Sequence, residues 1–177
     1  MTEETQIIKK CINGDVESFN YLVSKYQSQL LRMAYRFLNN WDDAKDATQD
    51  TFVKAYFSLK TFRQNHRFST WLYSILINVC LDKLKSPYYR RKTSLNISTE
   101  ANTIDNALEQ LAEGELLQKA IAQLPVKRRR VFILVELESL STGEIAEILG
   151  CSESTVRVTL MKAREQLRKI YLELNKL

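Results

Sequence analysis

The side chains able to do chemistry in this chain fall into three polar stripes. Asp43, Asp46 and Asp50 stand at i, i+3 and i+7, with Gln49 beside them, so a helix carries all four on one face. Carboxylates spaced this way, without interspersed lysine, suit docking against a basic helix. The alternative is a solvated face whose acids offset the helix dipole, which accounts for Asp42 and Asp43 more readily than for Asp50. In a second stripe Ser74, Asn78, Asp82 and Lys85 follow at steps of four, four and three. Asn78 is set within Ile77-Asn78-Val79, where an amide is costly unless a partner satisfies it or it is used. The third stripe is basic: Ser154, Thr155, Arg157, Val158, Met161, Lys162, Arg164 and Arg168 face away from the apolar Val156, Leu160, Ala163 and Leu167. Arg157 is placed to reach base edges, because arginine to guanine is the commonest direct readout, and Arg164 and Arg168 are placed to meet phosphates.

None of these stripes is a catalytic set. No acid–base pair or nucleophile–base pair is identifiable, and the single histidine, His66, cannot build a metal site alone. Cys11, Cys80 and Cys151 lie far apart and never as CxxC, which argues against a disulfide framework and a zinc site. The expectation is a binding protein with no enzyme activity, cofactor, metal or small-molecule substrate.

Composition narrows the class. With 4 Gly and 2 Pro in 177 residues, the chain lacks the turn residues that sheet-rich folds and glycine-cradled phosphate sites need. The net charge of +5 is unevenly placed. Lys60–Lys92 holds eight basic residues against Asp82 alone, and Cys151–Leu177 holds six against three acids. Residues 101–150 carry five basic residues against eight acids. Two basic zones around an acidic middle suggest two contact surfaces for a polyanion, with ordinary solvated helix faces as the alternative. The longest apolar run, Trp71–Leu81, is too short to span a bilayer, and Met1-Thr2-Glu3-Glu4 has no secretory character, so the expected compartment is the cytoplasm.

The elements that must position the stripes are helical. Phe19, Leu22, Val23, Tyr26, Leu30, Met33, Ala34 and Phe37 repeat at three and four, which predicts a long helix from Asp15 to Leu38 after a short one near Ile7–Ile12. A helix from Asp42 to about Leu59 carries the acidic stripe. After a loop from Thr61 to Phe68, Ser69 is the expected N-cap of an apolar helix reaching Lys85. Ser86–Asn106 breaks the rhythm and reads as a flexible linker, centred on residues 88–104. The helical period resumes at Leu108, and Pro125 suits the first turn of a helix to about Glu138.

Ser141-Thr142-Gly143-Glu144 is a capping-box pattern, and Gly150 can take the left-handed conformation that ends the helix it opens. Ala146 permits close approach, Gly150 makes the turn, and Val156 packs back between the two helices. This is helix-turn-helix spacing, whose second helix lies in the major groove; a plain helical hairpin shares the apolar spacing but not the basic outer face. Lys127, Arg128, Arg129 and Arg130, one helix upstream, either clamp the DNA backbone or form a solvated face.

Across nearly its whole length the chain resembles the bacterial extracytoplasmic-function sigma factors, group 4 of the sigma-70 family. In the first half the resemblance rests on residues 42–56, Asp42-Asp43-Ala44-Lys45-Asp46-Ala47-Thr48-Gln49-Asp50-Thr51-Phe52-Val53-Lys54-Ala55-Tyr56, then Phe62-Arg63, Phe68-Ser69-Thr70-Trp71-Leu72-Tyr73-Ser74-Ile75 and Asn78. In the second half it rests on Leu124-Pro125, Glu136-Leu137-Glu138-Ser139-Leu140-Ser141, Glu144-Ile145-Ala146, Thr155-Val156-Arg157 and Lys162-Ala163-Arg164-Glu165. It implies an all-α protein of two small helical domains joined by a flexible linker: residues 1–87 as region 2, 88–104 as linker, and 105–177 as region 4 with the helix-turn-helix.

The resemblance implies that Asp43, Asp46, Gln49 and Asp50 bind the clamp of the largest subunit of core RNA polymerase, while region 4 meets the flap of the second. Arg63, Asn65, His66, Arg67, Asn78 and Lys85 would read and melt the minus-ten element, Asn78 lining a pocket for a base flipped from the non-template strand. The loop 63–68 would set specificity by stacking on and hydrogen-bonding exposed bases, with Trp71 assigned to packing. Ser154, Thr155, Arg157, Val158, Met161, Lys162 and Arg164 would read the minus-thirty-five duplex. The implied partners are core polymerase, promoter DNA and an anti-sigma factor, often membrane-bound, and the implied output is transcription of a stress or envelope-response regulon. Val158, Thr159 and Met161 depart from the small polar, basic or aromatic residues common in relatives, and Thr48 and Asp50 replace the commoner branched apolar residue and Glu.

Overall fold

The computed structural model describes residues 3–62, 67–86 and 108–175, with side chains in the last segment from residue 114 onward. Every regular element in these residues is helical. The expected linker, 88–104, lies outside the described residues.

Four helices form the first bundle: α1 (Glu3–Ile12), α2 (Val16–Leu38), α3 (Trp41–Ser58) and α4 (Phe68–Lys85), with a 3₁₀ turn at Leu59–Thr61. Asp15 caps α2 by accepting the Ser18 amide, and Asn40 caps α3 by accepting the Asp43 amide. Asn39, between them, ends α2 in the left-handed conformation at φ 52°. The core is the apolar stripe of α2, including Leu22, Leu30, Met33 and Phe37, closed by Ala44 and Ala47 of α3 and by Leu72, Leu76 and Ile77 of α4.

Helix α4 begins two residues earlier than expected. Phe68, 2% exposed, is drawn into a ring cluster with Tyr26, Phe62 and Trp71 at centroid distances of 5.4–5.6 Å. Arg67, not Ser69, therefore takes the cap position, and no side chain caps the helix.

The second bundle comprises α5 (Leu108–Gln123), α6 (Val126–Phe132), α7 (Thr142–Leu149) and α8 (Glu153–Leu174). Pro125 stands at the N-cap of α6. Where the sequence suggested one helix to Glu138, α6 passes into a π-helical turn at Ile133–Leu137. The Glu138 amide bonds the Ile133 carbonyl at 3.1 Å, five residues back, and Ser139 follows at φ 53°. The extra residue turns Glu138 away from its own bundle.

The two bundles pack together, α2 against α5 and α4 against α7. The last carbonyls of α2, which an isolated helix leaves unpaired, are met from the second bundle. Gln118 donates to the carbonyls of Tyr35 and Arg36 at 3.3 Å, and Arg129 donates to that of Phe37 at 2.8 Å.

Candidate nucleic-acid interface

Helix α3 presents its stripe as the spacing requires. Ala44, Ala47 and Phe52 are buried, Asp46, Gln49 and Asp50 are exposed, and Asp43 is half-buried. Tertiary packing adds a second cation to this face, which already carries exposed Lys54 four residues after Asp50. Lys83 of α4 stands 3.7 Å from Asp50 and 3.9 Å from Asp46. The stripe also extends further than carboxylates reveal. Val53, 55% exposed, and Phe57, 80% exposed, continue Asp46 and Asp50 at the same steps of three and four. The face is thus acidic at its start and, beside exposed Lys54, apolar at its end. The signal was present in the period of the sequence, but large apolar residues on a helix read by default as core.

On α4, Asn78 is exposed between buried Ile77 and Val79, so the amide has no burial to compensate and is open to a ligand. Asp82 and Lys85 are exposed along the same stripe. One turn before Asn78, a cavity of about 330 Å³ is lined by Thr61, Phe62, Thr70, Trp71 and Ser74. Its remaining wall is Glu147 and Ile148 of α7, so helix-turn-helix residues close this face of the first bundle. Trp71 packs on Phe62 and Phe68 at 5.4 and 5.5 Å and also lines the cavity. Arg67 extends from the loop to Glu144 at 3.3 Å. Arg63, Asn65 and His66 lie outside the described residues.

The capping box forms as its sequence predicts. Ser141 Oγ accepts the Glu144 amide at 3.3 Å, and Glu144 Oε2 accepts the Ser141 amide at 3.0 Å. The Ser141 amide and hydroxyl, with the Arg67 charge, hold the Glu144 carboxyl below its ordinary range. Gly150 ends α7 at φ 62°, a left-handed turn that glycine takes without strain. Val156, Ile145 and Ala146 are all buried where α8 packs against α7.

Of the residues expected on the outer face of α8, Ser154, Thr155, Arg157, Val158, Met161, Lys162 and Arg164 are all exposed. Several have partners at home. Arg157 reaches back to Glu153 at 3.2 Å, while Glu153 also accepts the Thr142 hydroxyl at 2.8 Å. Arg164 donates to Glu136 at 2.9 Å. The Ser154 and Thr155 hydroxyls lie 2.8 and 2.9 Å from that of Ser152, the N-cap.

The basic run of α6 divides. Arg129 brackets the carbonyls of Ala122, Leu124 and Phe37, and Arg128 donates to Gln166. For these two the structure supports neither a backbone clamp nor a solvated face: both hold helices together. Among the described residues no group of three or more His, Cys, Asp or Glu side chains could hold a metal ion, and no helix is long and apolar enough to cross a membrane.

Comparison with known proteins agrees with this arrangement. The family profile "Sigma-70 region 2" matches residues 22–92, and "Sigma-70, region 4" matches residues 114–167. The chain is 33% identical over 175 residues to the ECF RNA polymerase sigma factor SigW of Bacillus subtilis, covering 92% of this chain and 93% of the relative. It is 32% identical over 179 residues to the RNA polymerase sigma-H factor of Pseudomonas aeruginosa, covering 94% and 93%. Among solved structures, CnrH in complex with the cytosolic domain of CnrY superimposes with a TM-score of 0.70 at 26% identity, covering 93% of this chain and 94% of that one. The sigma factor RpoE of Bartonella quintana, solved with the anti-sigma factor NepR, shares the fold with a TM-score of 0.69 at 24% identity, covering 87% and 96%.

Proposed function

The chain belongs to the extracytoplasmic-function sigma factors of the sigma-70 family, and from that premise we propose a division of its initiation function among three faces. As a sigma factor it binds core RNA polymerase and directs it to promoters; it is not an enzyme. The α3 stripe, Asp43, Asp46, Gln49 and Asp50 with Val53 and Phe57, docks on the polymerase clamp. Its mixed character supports this: carboxylates steer a basic helix into register, and burial of the exposed Phe57 supplies affinity. Asn78, Lys85, Arg67 and the loop residues Arg63, Asn65 and His66 capture and read the melted minus-ten strand. The observation that carries this assignment is an exposed amide between buried Ile77 and Val79, one turn from a cavity with an aromatic wall. Flipping a base costs a few kcal/mol, which stacking and hydrogen bonds at such a face offset. The outer face of α8, from Ser154 to Arg164, reads the minus-thirty-five duplex, and residues 88–104 connect regions 2 and 4. An anti-sigma factor is a further partner, as NepR is for RpoE of Bartonella quintana.

In vitro transcription with core polymerase and a promoter library tests the reading. Initiation requires both core enzyme and this chain, and Asp50→Lys and Phe57→Ser each lower core binding at least tenfold while leaving the melting temperature within a few degrees. Tight sequence-specific duplex binding by the chain alone, with no initiation on adding core, would instead mark a stand-alone helix-turn-helix regulator.

A further inference from the structure

We propose that Val158 and Met161 read thymine C5-methyl groups in the minus-thirty-five duplex, so that apolar contact with thymine contributes to sequence choice at this element beside hydrogen bonding by Arg157. The inference rests on α8 entering the major groove, as proposed above. At about 100° per residue, Val158 stands opposite the buried stripe of Val156, Leu160 and Ala163, and Met161 is its neighbour one turn along. These two side chains are 50% and 61% exposed, whereas the stripe behind them is 0–8% exposed.

The polar candidates around them are drawn off the apex. Arg157 is held to Glu153 at 3.2 Å, and Arg164 lies on the flank with Glu136. The hydroxyls of Ser154 and Thr155 gather at the Ser152 cap. Val158 and Met161 are consequently the exposed apolar side chains on the outward face of the first half of α8. In the major groove the distinctive apolar group is the thymine methyl; the other edge groups are hydrogen-bond donors and acceptors. Lys162 and Arg168 flank the pair and suit the phosphates on either side. Glu165, one turn further on the same face, is offset by Lys169 at 2.9 Å, which bounds the groove-facing segment. Methionine adds reach and a polarisable sulfur that adapts to a methyl edge.

Deoxyuridine provides the test, because it removes only the methyl. Holoenzyme formed from core polymerase and the full chain selects promoters from a randomised library. One selected promoter is then rebuilt with deoxyuridine for thymidine, singly, at each minus-thirty-five position. Initiation under limiting holoenzyme falls about fourfold for each contacted methyl, the factor corresponding to ~0.8 kcal/mol. The same replacement in the spacer changes nothing. The Val158→Ala/Met161→Ala double variant, altered only at exposed positions, keeps its core binding and melting temperature but no longer distinguishes thymidine from deoxyuridine. A selected element without thymine, or equal initiation on both templates, overturns the proposal. Failure to select any promoter overturns the sigma reading itself, so the two failures are distinguishable.

Discussion

Arg36 and Glu138, 102 residues apart, form an ion pair of 2.9 Å across the two bundles, and the Glu138 side chain is only 5% exposed. Glu138 also accepts Gln29 at 3.2 Å and lies near Tyr73, whose hydroxyl is pushed up to about 12 by burial and then by this carboxylate. The π turn and the left-handed Ser139 deliver Glu138 to this place.

Glu138→Ala is therefore expected to loosen the packed arrangement. Breaking a buried pair costs roughly 3–5 kcal/mol, and the partial exposure of Arg36 brings the expected loss to about 2 kcal/mol. Scattering measurements are expected to show a larger radius of gyration. Because Glu147 and Ile148 wall the cavity beside Ser74, opening also frees the proposed base-capture face. Affinity of the free chain for a single-stranded minus-ten oligonucleotide from a mapped promoter rises severalfold, read by fluorescence anisotropy. Unchanged affinity in an opened variant refutes the occlusion.

Asn78→Ala separates structure from function at the first bundle. The residue is exposed, so the expected stability change is within about 0.5 kcal/mol. Open-complex formation, followed by permanganate reactivity of melted thymines, falls at least tenfold while core binding is unchanged. Equal loss of both measures a structural role.

Ser139 adopts φ 53° without being glycine. A left-handed backbone costs a residue with a Cβ roughly 1–2 kcal/mol, part of which glycine returns as greater unfolded-state freedom. Ser139→Gly raises stability by about 0.5–1 kcal/mol, seen as a higher urea midpoint at constant slope. A lower midpoint means the serine makes a compensating contact.

The three cysteines differ in access. Cys80 is fully buried and its thiol is pushed up to about 12 by burial; Cys11 is 5% exposed and likewise raised by burial; Cys151 is half-buried. Thiol titration of the folded chain at neutral pH yields one fast-reacting group, and Cys151→Ser abolishes it. The other two react only at the rate of unfolding.

Much of this protein is legible in its sequence because the governing interactions are local. Helical period placed the apolar stripes of α2 and α8, the Ser141–Glu144 spacing fixed a capping box, and Gly150 supplied the turn between the helices of the motif. The polar stripes on α3, α4 and α8 follow from the same period, which is why nearly every expected contact residue that the structure describes is exposed. What tertiary packing alone decided is which polar groups keep partners at home. Arg129 looked like one more cation in a basic run, yet it brackets carbonyls of α2 and α5. Lys83 joins a stripe whose acids lie more than thirty residues away. Glu138 crosses to Arg36 because a single extra residue in a π turn redirects it. Period and capping are set within a few residues of chain, whereas the end of an ion pair or of a helix carbonyl is set by whichever element comes to lie against it, and that is a property of the folded whole.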